Sequence, residues 1–471
     1  MSAPPQGPLP EGVGLALDPG LLRFRSGTVL AGGRPGRIIT LTADGAAALD
    51  ALVAGGVPDA ATRALAGRLV AVGMAHPRAP HAAGAVPSVT VVVPVRDRPA
   101  ALDRCLASLG RDHPVVVVDD ASDDPAAVAE VCRTRGAQLL RREVNGGPGA
   151  ARTTALPSVD TELVAFVDSD CTVPDRWLEG LTWLFADPAR GAVAPRVRPE
   201  ATSDRRGALA RFDADHCPLD LGPDEGEVGP ERAVRYVPTA ALVVRRAALD
   251  DVSGFAPGLR VGEDVDLAWR LVDAGWSVRY VPEVVVDHRE PGTWRRLLAR
   301  RFTYGTSAGP LATRHPGRLA PVELRPRPLA AALALLAGRP LLAAGMVGAA
   351  TVPLARTVRP LGVPARQALR WSAGGAGWTL TGLGRAATMV GWPGLVALAA
   401  GGRRGRRAAV LLVVVPPVVD WVRRRPDLDL LRWTTASVAD DVAYGAGVWK
   451  GCVQAHTLGP ILPTLRGDDQ S

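Results

Sequence analysis

Apolar and polar positions run in blocks along this chain, and the blocks change character twice. In the middle, short continuous apolar runs alternate with helix-like stretches. Val89-Thr-Val-Val-Val-Pro, Val115-Val-Val-Val-Asp-Asp, Leu139-Leu-Arg-Arg and Leu163-Val-Ala-Phe-Val-Asp read as strands, while residues 101–109, 126–135 and a segment opening at Gly149 read as helices. Strands that are apolar at successive positions, separated by helices, predict a mostly parallel sheet covered on both faces. Such sheets bind ligands beyond the carboxyl ends of their strands.

Before this block, Leu22-Arg-Phe-Arg, Gly27-Thr-Val-Leu and Arg37-Ile-Ile-Thr-Leu read as three strands. Thr42 then caps one helix, and residues 60–72 suggest a second. Three strands followed by two helices have the look of a small winged-helix-like module. The first dozen residues, rich in Pro and Gly, read as loose, and residues 77–87 read as a linker.

Beyond about Pro321 the pattern becomes apolar. Residues 329–355 are uncharged except for Arg339, residues 374–402 except for Arg385, and residues 408–419 form an apolar run broken by Pro416-Pro417. A membrane span needs roughly 20 apolar residues. The Arg and Pro interruptions leave three readings open: interfacial helices, re-entrant segments or a buried helical domain. These shifts predict three regions: 1–85, an N-terminal module with its linker; 86–320, the α/β domain; 321–471, an apolar helical tail.

At 471 residues the chain is long enough for several domains. Composition changes this picture in two places. Lys and Arg number 55 against 47 Asp and Glu, a net charge of +8, with Arg dense at 289–327 and at 403–407. A basic stretch suits nucleic acid, anionic lipid or a diphosphate. Because it flanks apolar segments here, lipid is preferred as a partner and nucleic acid is not expected, with a solvated basic face as the other reading. The five cysteines form no CxxC pair, which speaks against a disulfide scaffold or zinc site and for a reducing, cytosol-facing setting. No basic stretch followed by an apolar one opens the sequence, so secretion is not expected.

Candidate chemistry sits where strands end and helices begin. Asp97 follows the first strand of the α/β block, and Asp119 and Asp120 end the second. Carboxylates there can accept from a nucleobase N–H or ribose hydroxyls, although Asp also simply starts turns. Asp168 and Asp170 leave the Leu163 strand at alternate positions, which face the same way on an extended chain. They suit one divalent ion, Mg²⁺ or Mn²⁺, or an ion and a ribose. Glu263 and Asp264 open an amphipathic helix, either as favourable charge on its dipole or as a general base. Asn145-Gly-Gly-Pro-Gly-Ala-Ala-Arg152 offers backbone amides and an Arg to a phosphate or base. His288, after an apolar strand, is a candidate third metal ligand.

Taken in order, Val-Pro-Val-Arg-Asp97, Val-Asp119-Asp120-Ala-Ser, Asn145-Gly-Gly-Pro-Gly-Ala-Ala-Arg152, Asp168-Ser-Asp170 and Gly-Glu263-Asp264-Val-Asp-Leu resemble family 2 glycosyltransferases of the GT-A fold, over residues 86–316. The resemblance implies that Asp97 and Asp120 hold the nucleoside with Arg152 nearby. It implies that Asp168 meets ribose or metal, Asp170 and His288 the metal, and that Asp264 is the base. It also implies inversion at the anomeric carbon as a nucleoside diphosphate leaves. Processive members carry Gln-x-x-Arg-Trp; here the stretch reads Leu298-Ala-Arg-Arg301-Phe302, which speaks against long-chain synthesis. With its N-terminal module and apolar tail, the whole chain is similar to the glycosyltransferases of mycofactocin biosynthesis. That similarity implies UDP-glucose as donor, a peptide-derived redox cofactor precursor as acceptor and a short β-glucan as product. The N-terminal module is also similar to peptide-recognition modules, which implies precursor contact by strand addition; a mere packing extension is the other reading. The remaining rivals are a membrane glycosyltransferase acting on a lipid or cell-wall acceptor, a decayed binding fold and a nucleotidyltransferase.

Overall fold

A computed structural model describes residues 7–33, 35–80, 87–200, 207–290 and 292–467. The chain divides into two compact units. One comprises Met1–Thr202 with His216–Glu290, the other Ser203–Asp215 with Pro291–Ser471. Residues 291–320, placed with the α/β domain from sequence, therefore fall with the C-terminal helices, and the N-terminal module falls with the sheet.

The first unit opens with β1 (Gly14–Leu17), β2 (Leu22–Phe24), β3 (Val29–Gly32), β4 (Arg37–Thr40) and β5 (Ala75–Arg78). β2, β3 and β4 form an antiparallel sheet, followed by helices Ala43–Val53 and Ala60–Ala71, as the sequence suggested. Thr42 caps the first helix by accepting from the Gly45 N–H, and Asp59 caps the second through the Thr62 N–H. The β1–β5 antiparallel ladder was not foreseen. It takes in Pro77 and Arg78, which had been read as the start of a linker; of that linker, residues 81–86 lie outside the described residues, as do residues 1–6 at the start. Leu15, Leu30, Leu49, Leu69 and Met74 are all buried and make the module's own core.

The strands of the large sheet are β6 (Val89–Val95), β7 (Val115–Asp120), β8 (Gln138–Arg142), β9 (Leu163–Val167), β10 (Cys171–Thr172), β11 (Arg190–Pro199), β12 (Gly226–Glu227), β13 (Ala241–Arg245) and β14 (Ser277–His288). They run β10-β14-β11-β13-β9-β6-β7-β8, with β12 also on β14. β8, β7, β6 and β9 are mutually parallel, as is the β11–β14 pair, and β13 runs antiparallel to both of its neighbours. Alternation along β6 shows why every position is buried and all but Thr90 apolar. Val91, Val93 and Val95 pack with Leu102, Cys105 and Leu106 on one face, and Val92 packs with Ala151, Ala155 and Leu267 on the other.

The N-terminal module is fastened to this sheet by a buried polar network. His76 on β5 sits 2.9 Å from Asp18 and 3.2 Å from Arg279 on β14. Arg279, 1% exposed, also pairs with Glu225 and Glu227, and Arg190 pairs with Glu227. Buried charge is tolerated because each group has an opposite partner.

The second unit is helical. Its longest elements are Pro340–Val358, Ala365–Met389, Gly402–Arg424 and Leu430–Gln454. Glycines set one of its close crossings: a Cβ on Gly447 would collide with the Phe302 carbonyl oxygen of helix Trp294–Gly305, and one on Gly305 with that of Tyr444. Among the described residues one helical segment, Pro340–Leu361, is long and apolar enough to cross a membrane; Ala365–Met389 with Trp392–Ala400, bent by 99°, counts as a second if read as one span.

Candidate active site

The carboxyl ends of β6, β7 and β9 bring the expected acidic residues to one edge of the sheet. Asp97 takes a left-handed backbone conformation, φ 54°, unusual for a residue with a side chain. Two contacts hold it there. Its N–H donates to Ser122 Oγ at 2.9 Å, and its Oδ1 accepts the Asp123 N–H at 2.6 Å. The turns after β6 and β7 are thereby tied together.

Asp119 and Asp120 are buried and already engaged. Asp119 pairs with Arg141 and accepts the Ser122 N–H at 2.9 Å. Asp120 accepts from Arg142 Nε at 2.8 Å and from the Gly146 and Gly147 amides at 3.0 and 2.7 Å. The Gly-rich loop thus directs these two amides at Asp120. Gly147 has φ 86°, a conformation that favours glycine, and Asn145 Oδ1 accepts its N–H as well. In this conformation the structure makes Asp120 the anchor of that loop.

Arg152, expected near a phosphate or base, is 1% exposed on helix Pro148–Ala155. Its guanidinium bridges Asp168 Oδ1, at 2.6 Å, and Glu263 Oε1, at 3.1 Å, and lies over the Phe255 ring. It is a strut joining the end of β9 to the start of helix Glu263–Asp273. Asp168 keeps a side chain 30% exposed, so the carboxylate still opens to solvent.

Asp170 and His288 meet because β10 pairs antiparallel with β14, setting Cys171 opposite His288. Asp170 Oδ1 lies 3.4 Å from His288 Nε2, and its Oδ2 is held by Arg98. His288 Nδ1 is 2.9 Å from Glu290 Oε1, which also accepts from the Cys217 thiol. Despite burial, these partners raise the His288 pKa to about 9, and although burial opposes it, His288 and Arg98 lower that of Asp170 to about 2. Among the described residues no group of three or more His, Cys, Asp or Glu side chains is gathered to hold a metal ion. The donor set still fits one: a carboxylate and an imidazole whose far nitrogen is anchored by a second carboxylate. Mg²⁺ and Mn²⁺ take few protein ligands where phosphate oxygens and water complete the set. Sequence reasoning assigned no role to Glu290, Arg98, Arg141 or Arg142.

Helix Glu263–Asp273 begins after Gly262, with Glu263, Asp264 and Asp266 in its first turn. Arg270 secures it, pairing with Asp266 at 2.7 Å and donating to the Val252 and Gly254 carbonyls. Among the described residues no cation forms an ion pair with Asp264; its Oδ1 accepts the Val265 N–H at 2.8 Å. Burial first, then the charge of Glu263, raise its pKa to about 7. A carboxylate held near neutral pH is matched to proton abstraction from a hydroxyl.

Residues 90–252 match the model of glycosyl transferase family 2. The chain is 36% identical to the pre-mycofactocin glycosyltransferase of Mycobacterium tuberculosis, over 97% of this chain and 99% of that one. It belongs to glycosyltransferase family 2. Another relative, glycosyltransferase AglE of Haloferax volcanii, is 28% identical over 47% of this chain and 72% of its own. The mannosyltransferase PcManGT of Pyrobaculum calidifontis, solved with GDP-mannose and Mn²⁺, aligns at 22% identity over 79% of this chain and 88% of that one, with a TM-score of 0.44. The fold of this family 2 enzyme is GT-A, with a helical C-terminal region.

Proposed function

We propose that this glycosyltransferase transfers glucose from UDP-glucose, with inversion and with a divalent ion, to a peptide-derived redox cofactor precursor of the mycofactocin type. The observation that carries the chemistry is Asp264, a carboxylate at the head of a rigidly secured helix with its pKa near 7. The observation that carries the acceptor is likeness along nearly the whole chain to a pre-mycofactocin glycosyltransferase.

On this reading, Asp264 takes the proton of the acceptor hydroxyl as its oxygen attacks the anomeric carbon in line with the departing nucleoside diphosphate. Inversion gives a β-linkage from an α-linked donor, and repetition would give a short β-glucan. Glu263, held by Arg152, adds the neighbouring negative charge that helps raise the Asp264 pKa. Asp170 and His288 would hold the ion, with Asp168 toward it or the ribose. The ion supplies charge neutralisation of the diphosphate leaving group. Asp97 rims the nucleoside side, with Asp119 and Asp120 beneath it.

The β4 edge of the N-terminal module, with Arg37, Ile38 and Thr40 exposed, supports precursor contact by strand addition. The apolar C-terminal helices support association with the cytoplasmic face of a membrane, and they keep a lipid or cell-wall acceptor as the second reading.

The test is release of nucleoside diphosphate by purified protein from a panel of nucleotide sugars, with Mn²⁺ or Mg²⁺, with and without the precursor. Release from UDP-glucose that needs both metal and precursor is the expected outcome. Release only with a lipid acceptor would keep the transferase and discard the cofactor pathway. No release from any donor would overturn the reading.

A further inference from the structure

Asp170 is expected to bind the metal, yet one of its oxygens is taken by a cation from the protein itself. Arg98 pairs with Oδ2, while Oδ1 faces His288. The two partners differ in kind. His288 is 8% exposed and fixed from behind by Glu290, whereas the Arg98 side chain is 60% exposed. Its backbone is the opposite of loose. Arg98 follows Asp97, whose left-handed conformation is pinned to the β7 turn by the contacts with Ser122 and Asp123, and helix Pro99–Leu109 starts at the next residue. A long cationic side chain therefore swings from a fixed point at the rim of the site.

A divalent ion on the His288 side, at Oδ1, and Arg98 on Oδ2 compete for the charge of one carboxylate. An ion arriving alone meets a carboxylate that the guanidinium already neutralises. An ion arriving with a diphosphate brings negative charge to the place where the displaced guanidinium is already tethered, and Arg pairs well with phosphate oxygens in a bidentate manner.

We propose that Arg98 is a placeholder cation: it neutralises Asp170 in the empty enzyme, yields to the divalent ion, and re-pairs with the diphosphate of the donor. Metal and nucleotide then bind synergistically, and the ion is held weakly until the nucleotide is present. This rests on the proposed metal site at Asp170 and His288, and makes Arg98 a positioning residue for the donor.

The experiment is binding of Mn²⁺ to the full chain, followed by loss of the free-ion electron paramagnetic resonance signal, with and without uridine diphosphate, for the wild type, Arg98→Ala and Arg98→Lys. An exposed ion pair is worth at most about 1 kcal/mol, so Arg98→Ala should bind Mn²⁺ alone up to about fivefold more tightly. The same variant should lose most of the tightening that uridine diphosphate brings, and Arg98→Lys should recover part of it. Damage to the fold would weaken both measurements together; this proposal requires them to move in opposite directions. Unchanged Mn²⁺ affinity and unchanged synergy in Arg98→Ala would overturn the placeholder while leaving the metal site standing. A wild type that binds no Mn²⁺ with uridine diphosphate would overturn the metal reading and the placeholder with it.

Discussion

The pKa of Asp264 makes the rate of transfer a pH measurement. A carboxylate that titrates near 7, against an ordinary value of 3.8, is biased by about 4 kcal/mol toward its protonated form. The sign is fixed by the role. Because the folded enzyme raises this pKa, Asp264 is protonated and idle as a base below 7, and ionised and competent above it. Titration about 7 leaves roughly a tenth of the enzyme competent at pH 6 and roughly nine tenths at pH 8. With donor and metal saturating, the single-turnover rate should therefore climb about tenfold between those values, then level. Glu263→Gln removes the neighbouring negative charge that helps raise the pKa, so the same climb should move to lower pH. Asp264→Asn should lower the rate by about a hundredfold or more, with donor affinity retained. A wild-type rate that is flat from pH 6 to pH 8, or an Asp264→Asn enzyme within tenfold of wild type, would refute the assignment of the base.

Three further outcomes are expected elsewhere. Glu290→Ala should weaken Mn²⁺ binding by about ten- to a hundredfold, read by titration calorimetry with uridine diphosphate present, because the His288 ring loses its hydrogen-bonded anchor; unchanged affinity would remove His288 from the metal site. Arg279→Ala leaves Glu227 to Arg190 and Glu225 to Arg78 alone, and should cost up to about 3–5 kcal/mol in urea unfolding, with less loss for Arg279→Met, which refills the vacated volume. Gly447→Ala should destabilise the C-terminal helices by about 1–3 kcal/mol, since the added methyl meets the Phe302 backbone, which cannot rotate away; a thermal midpoint within a degree of wild type would contradict that close approach.

The catalytic sheet was legible because its strands are buried on both faces and so write themselves as unbroken apolar runs. The β1–β5 ladder was not, since Ala75-His-Pro-Arg carries neither alternation nor an apolar run, and only distant packing selects it. The acidic residues were legible one at a time, but their partners were not. Arg152 is one example. A helix-borne Arg after a Gly-rich loop looks available to a ligand, and only the fold shows it enclosed between Asp168 and Glu263. Glu290 did leave a signal. It stands two positions beyond His288, the spacing that sends side chains to the same side of an extended segment.

The pairing of Asp119 with Arg141 and Asp120 with Arg142 has a consequence beyond satisfying four charges. These residues are direct neighbours across β7 and β8, where Val117 and Val118 stand beside Leu139 and Leu140. Interchangeable aliphatic side chains carry almost no information about alignment; the strands could slide by a residue and bury much the same surface. A slide by one would leave one Asp and one Arg without a match. The doublets act as a vernier at the ends of two otherwise featureless strands. They fix the height at which the Gly146–Gly147 loop leaves β8, and with it the level of the rim on which Asp97 and Arg98 stand.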